Sequence, residues 1–166
     1  MKNSILKVLA LVMVCILALG AIACDSEAKK EEGAVDWSKY PEKFEDWKFA
    51  DLKDYLRTAG IIEAHEKCLS MDMSEGDLAA GGADAGMIYM DTEAGSIMDI
   101  IMVATADNLL SELRSSHTLA GVPMDALLGN FAFSYSNGYD EEHLAAIKQA
   151  INDLAAHYGV TPDFIG

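Results

Sequence analysis

The sequence predicts an α+β domain: a small antiparallel sheet of about three or more strands, with N- and C-terminal helices packed on one of its faces. Segments 49–60 and 140–158 repeat apolar residues at helical spacing and carry helix stop signals. Segments 85–92, 96–105 and 130–136 read as strands. The helices flank the strands along the chain, an order that differs from the alternation of a parallel α/β sheet.

In FADLKDYLRTAG (49–60), Leu52, Tyr55, Leu56 and Ala59 share a face, and Gly60 sits where a C-terminal cap belongs. AGMIYMDT (85–92) and SIMDIIMVAT (96–105) are apolar runs rich in Ile and Met around a TEAG turn. The second run also fits a buried helix reaching Leu113, because periodicity does not separate the two when both faces are apolar. The preferred reading is a strand to Thr105 and then a short helix, ADNLLSELRSS. NFAFSYS (130–136) alternates, with Phe131, Phe133 and Tyr135 on a buried face and Ala132, Ser134 and Ser136 on the other. Asn137–Gly138 turns the chain into the last helix. There Asp140 is the cap, Glu141 and Glu142 complement the dipole, and Gly159 and Pro162 stop the helix. Leu144, Ile147, Ile151, Leu154 and Tyr158 form its apolar stripe.

The chain divides into three parts. Residues 1–23 have the pattern of a secretory signal peptide: Lys2 and Lys7, an apolar run from Val8 to Leu19, then small residues. The competing reading is an uncleaved anchor, for which the apolar run is short against the ~20 residues that cross a bilayer. Residues 24–36 read as a polar tether without aromatics. From Trp37 the composition changes, with Trp37, Tyr40, Phe44, Trp47 and Phe49 in quick succession, and 37–166 is expected to form a single domain. These aromatics either stack on a sugar or peptide or fold back to seal the core, and a domain of this size favours sealing.

Ala21-Ile22-Ala23-Cys24 resembles the lipobox of bacterial lipoproteins, with Ala21 standing where a larger aliphatic is usual. The resemblance covers residues 1–24 alone. It implies that Cys24 becomes the first mature residue and carries a thioether-linked diacylglycerol, so the membrane is one partner. Two or three acyl chains anchor stably where one does not. It also implies a place on the extracytoplasmic side of the cell membrane or envelope. Cys15 would leave with the signal peptide and Cys24 would carry lipid, so Cys68 is the one thiol left and no intramolecular disulfide can form in the mature chain.

Loss of Lys2 and Lys7 from the 12 basic residues leaves 10 against 27 acids, a net charge of −17. Such a surface repels phosphate backbones, and nucleic acid is excluded as a partner.

The densest group of metal-competent side chains is HEKCLSMDM (65–73). His65, Cys68, Met71 and Met73 supply the imidazole, thiolate and thioethers that suit Cu(I), and on a continuing helix His65 and Cys68 would share a face. The competing reading is ordinary core and loop, since seven methionines survive processing and methionine fills irregular cores. The acidic, glycine-rich stretch 74–86 is expected to be a loop, and Asp72, Glu75, Asp77 and Asp84 lack the spacing of a calcium loop. No Gly-x-Ser-x-Gly, phosphate loop or His-Glu-x-x-His occurs. The expectation is a non-enzymatic, lipid-anchored extracytoplasmic module without a cofactor. It would bind a protein or small-molecule ligand on an uncovered sheet face or the acidic loop. The alternative is a soft-metal lipoprotein.

Cys24→Ser is expected to abolish lipidation and leave a precursor or a released form. Fatty-acid labelling and detergent partitioning check it, and a variant that still labels would contradict the lipobox assignment.

Overall fold

The computed structural model describes residues 35–62, 68–73, 82–92, 95–103, 107–119, 121–136 and 138–166. The signal peptide, Cys24 and all of the tether up to Ala34 lie outside the described residues, as does His65. Val35 packs on the core, and the Asp36 carboxylate accepts the Ser38 N–H and caps a 3-10 turn over Trp37–Lys39.

The expected α+β architecture is present, with an antiparallel sheet of six strands. Helix α1 spans Phe49–Thr58, α2 spans Asp107–Ser116 and α3 spans Glu141–Tyr158. The strands are β1 (Cys68–Asp72), β2 (Ala83–Asp91), β3 (Ser96–Val103), β6 (Ala126–Leu128), β7 (Phe131–Ser134) and β8 (Phe164–Ile165), in the spatial order β1-β2-β3-β7-β6-β8. A two-residue hairpin, β4 (Thr118–Leu119) with β5 (Val122–Pro123), stands apart from that sheet. Residues 96–103 are a strand, paired on one side with β2 and on the other with β7, which resolves the strand-or-helix ambiguity.

The end helices form where their caps place them. At α1 the Asp51 carboxylate accepts the Lys48 N–H at 2.8 Å, and Gly60 takes a left-handed φ of 73° just past the end. At α3 the Asp140 carboxylate accepts the His143 N–H at 2.9 Å, and left-handed Gly159 closes the last turn.

One sheet face carries Met87, Tyr89, Met98, Ile100, Phe131, Phe133 and Tyr135, packed against Leu52, Tyr55 and Leu56 of α1 and Ile147, Ile151 and Leu154 of α3. The aromatic segment seals the margin of this core. Tyr40, Phe44 and Trp47 are buried, and Trp37 stacks on His157 at 3.9 Å and on Tyr55 at 5.5 Å. The tyrosine hydroxyls find acceptors: Tyr55 donates to Ala150 O at 2.7 Å and Tyr158 to Pro41 O at 2.8 Å. Gly129 turns β6 into β7 with φ of 60°, and a Cβ there would stand 2.7 Å from Phe44 Cε1, so both the backbone and the packing call for glycine.

The opposite face is not lined by small residues alone. Ile101, Val103, Leu127 and Ala132 lie under Leu109, Leu110 and Leu113 of α2, with Leu119, Met124 and Phe164 beside them. Helix α2 therefore covers part of the face that the sequence reading left open. Its cover stops short of β1 and of the outer ends of β2 and β3.

Asp140→Ala is expected to lower the melting temperature at neutral pH. Hydrogen bonds from the His143 backbone and side chain hold the Asp140 carboxyl below its ordinary 3.8. A depressed folded value means the contribution is complete above 3.8 and fades as pH falls through the folded pKa. Melts of wild type and variant across pH 2 to 7, roughly the carboxylate range, should converge at the acid end.

Candidate functional site

Alternation along the strands sorts side chains of the α2 face into three rows that run across the sheet. The register pairs Leu69 with Met90 and Met90 with Ile97, giving the outermost row. The next is Met71, Ile88, Asp99 and Ser134. The third begins at Met73, whose N–H donates to Gly86 O at 3.0 Å, and continues through Ile101, Ala132, Leu127 and Phe164. The third row lies under α2.

The first two rows are bare. Leu69 is 54% exposed, Met71 60% and Ile97 37%, while Ile88 and Met90 between them are half-buried. Only two other large apolar side chains among the described residues are comparably exposed, Val122 and Ile165, and each stands on a different strand outside these rows. Neighbouring strands lie about 5 Å apart and rows about 7 Å apart, so the five side chains form one contiguous patch. Patches of this kind on soluble domains mark interaction surfaces more often than chance exposure does. Among the described residues β1 is also the sheet edge, paired with β2 alone in the sheet order.

A single carboxylate stands in the second row. Asp99 is half-buried, and its Oδ1 is enclosed without a hydrogen-bond partner among the described residues. Burial pushes its carboxyl above the ordinary 3.8, with no opposing cation among the described residues.

Of the predicted metal ligands, the structure describes Cys68, Met71 and Met73, and His65 lies outside the described residues. Helix α1 ends at Thr58, and Cys68 opens β1. Cys68 is buried in the α1/α3 core, where Tyr89 Oη donates to its Sγ at 3.0 Å. Met71 and Met73 fall on the opposite sheet face by the same alternation, Met71 exposed and Met73 half-buried against the α2 cluster. One ion cannot take the Cys68 thiolate and these two thioethers without refolding the strand. No group of three or more His, Cys, Asp or Glu side chains placed to hold a metal occurs among the described residues. The described histidines have structural contacts: His143 with Asp140 at 2.8 Å, His157 on Trp37, and His117 stacked on Phe164 at 3.9 Å. Of the acidic stretch, Asp72 bonds Lys53 at 2.8 Å and Asp84 is exposed on β2, while Glu75 and Asp77 lie outside the described residues.

A second polar grouping sits in the other core. Cys68, Asp91 and Ser96 form one row at the end of β1, β2 and β3. Beside them Tyr139 is pushed up to about 12, first by burial and then by the charges of Asp91 and Cys68. The Ser96 and Tyr139 hydroxyls are enclosed without a hydrogen-bond partner among the described residues.

Comparison with protein-family models, curated proteins and solved structures finds no match to this chain. Among the described residues no helix is long and apolar enough to cross a membrane.

Cys68 is expected to react slowly with a thiol reagent in the native mature protein and fast after unfolding, since burial shields the sulfur from the reagent. Met71→Leu with Met73→Leu should leave that rate unchanged. Fast native labelling that one equivalent of Cu(I) reverses would restore the soft-metal reading.

Proposed function

We propose that this protein is a lipid-anchored, non-enzymatic binding module of the cell envelope, held on the extracytoplasmic side through Cys24, that engages a protein partner on the bare half of its sheet. The observation that carries the reading is the contiguous patch of Leu69, Met71, Ile88, Met90 and Ile97 beside the α2 cover. The side chains are long and apolar, and they come from rigid, mutually paired strands, so the surface is already formed before a partner arrives. Full burial of an aliphatic side chain stabilises a complex by about 1.5–3 kcal/mol. Those that are already half-buried contribute correspondingly less. The net negative charge outside the patch favours a partner of opposite sign and discourages self-association.

A photo-cross-linking residue at position 71, in intact cells making the lipidated protein, is expected to yield a discrete adduct. The same residue at exposed position 146, on the far side of α3, should yield none. Leu69→Gln with Ile97→Gln should remove the adduct while shifting folding stability by no more than about 0.5 kcal/mol per site, as surface changes do. Equal labelling from 71 and 146, or an adduct that survives the double change, would contradict the proposal.

A further inference from the structure

The bare face carries one feature that apolar burial alone does not explain. Asp99 stands in the same row as Met71 and Ile88, flanked along β3 by Ile97 and Ile101. Its cross-strand neighbours are Ile88 on one side and Ser134 on the other, neither of them charged. A carboxylate placed among aliphatic side chains, with one oxygen enclosed and unbonded, is costly unless something else supplies a donor. Burial shifts its carboxyl upward, and among the described residues no lysine, arginine or histidine opposes it. Lys53 bonds Asp72 on the other face, and Arg114 of α2 bonds Asp163 at 2.9 Å.

The way the covered half is closed indicates the shape of what closes the rest. On this same face α2 lays Leu109, Leu110 and Leu113 over the third row. Packed helices lie about 8–10 Å apart, and the two bare rows lie about 7 and 13 Å from the covered one at two residues per row. A second helix set beside α2 therefore falls over Leu69, Met71, Met90 and Ile97.

We infer that the partner presents an amphipathic helix to this face with a lysine or arginine inside its apolar stripe, and that Asp99 is the counterion that recognises that cation. The inference rests on the proposed docking role of the patch and adds the chemistry of its occupant. The aliphatic rows supply sequence-tolerant affinity. Asp99 supplies selectivity, because a stripe without a cation leaves the carboxylate enclosed and unpaired, whereas a cationic stripe bonds it. The overall negative charge of the chain acts in the same direction, attracting a basic helix and repelling an anionic membrane surface.

The test uses the mature chain and a displayed library of amphipathic helices randomised within and beside the stripe. Helices selected on the wild type are expected to carry an arginine or lysine in the stripe. Replacing that residue by glutamine should weaken binding about tenfold or more, Asp99→Asn should weaken it similarly, and the two changes together should cost little beyond either one. Asp99→Asn is also expected to raise the melting temperature by about 2–5 °C at neutral pH, since it removes a desolvated charge. A raised folded pKa means that penalty is present above the folded value and vanishes below 3.8, so the gain should disappear in acid. A residue with a purely structural role would instead lose stability when changed.

Selected helices without a cation, or affinity indifferent to Asp99→Asn, would overturn the counterion role while leaving the patch intact. Failure to select any helix, or binders insensitive to Leu69→Gln and Ile97→Gln, would overturn the docking reading itself. Binding of neutral or anionic lipid vesicles that depends on Leu69 and Met71 would show that a membrane covers the face, and would overturn both the helix and the cation.

Discussion

The central strands β3 and β7 are apolar on both faces, and the rest of the domain follows from that. Met98 and Ile100 point one way from β3, Ile101 and Val103 the other; Phe131 and Phe133 of β7 oppose Ala132. A sheet of this kind needs two covers, because uncovering either side returns a row of aliphatic surface to water. The first cover is thick: α1, α3 and the aromatic segment 37–49, knitted by ring contacts and by tyrosine hydroxyls bonded to backbone carbonyls. The second is one ten-residue helix with a small hairpin. It covers the third row, and the two outer rows lie beside it uncovered.

Legibility in the sequence followed how local each signal is. The caps and stripe of α3, the strands β2, β3 and β7 and the alternation of Phe131, Phe133 and Tyr135 were readable, because each depends on residues within one element. β1 was not. Only its first residue, Cys68, is buried, so CLSMD offers no apolar alternation, and it is a strand because Tyr89 and its neighbours pair with it. β6 is three residues buried on every side, and β8 is two residues following Pro162. Their pairing is a tertiary event with no local periodicity to announce it. The bare patch was equally out of reach, since Ile88, Met90 and Ile97 read as core in any apolar run. Which of them is covered depends on which rows α2 lies over. A buried strand and a half-exposed one differ in the partner element, which the chain supplies from elsewhere.

Cys68 parts from Met71 and Met73 for a related reason. Nine consecutive letters place thiol and thioethers near each other along the chain, but a strand sends neighbours to opposite faces. Cys68 entered the core with Tyr89, and Met71 turned outward. The same alternation that separates them places Met71 beside Ile88 and Asp99, and so builds an exposed apolar row around one carboxylate.

Methionine oxidation tests the partition of the sheet most directly, because the mature chain carries thioethers on both faces. Brief exposure of the native mature protein to dilute peroxide, followed by peptide mass spectrometry, ranks them by access. The account predicts that Met71 oxidises first, Met73, Met90 and Met102 at intermediate rates, and Met87, Met98 and Met124 last. Met71 protected to the level of Met87 would show that the outer rows are covered within the chain itself, and the bare face on which the account depends would not exist.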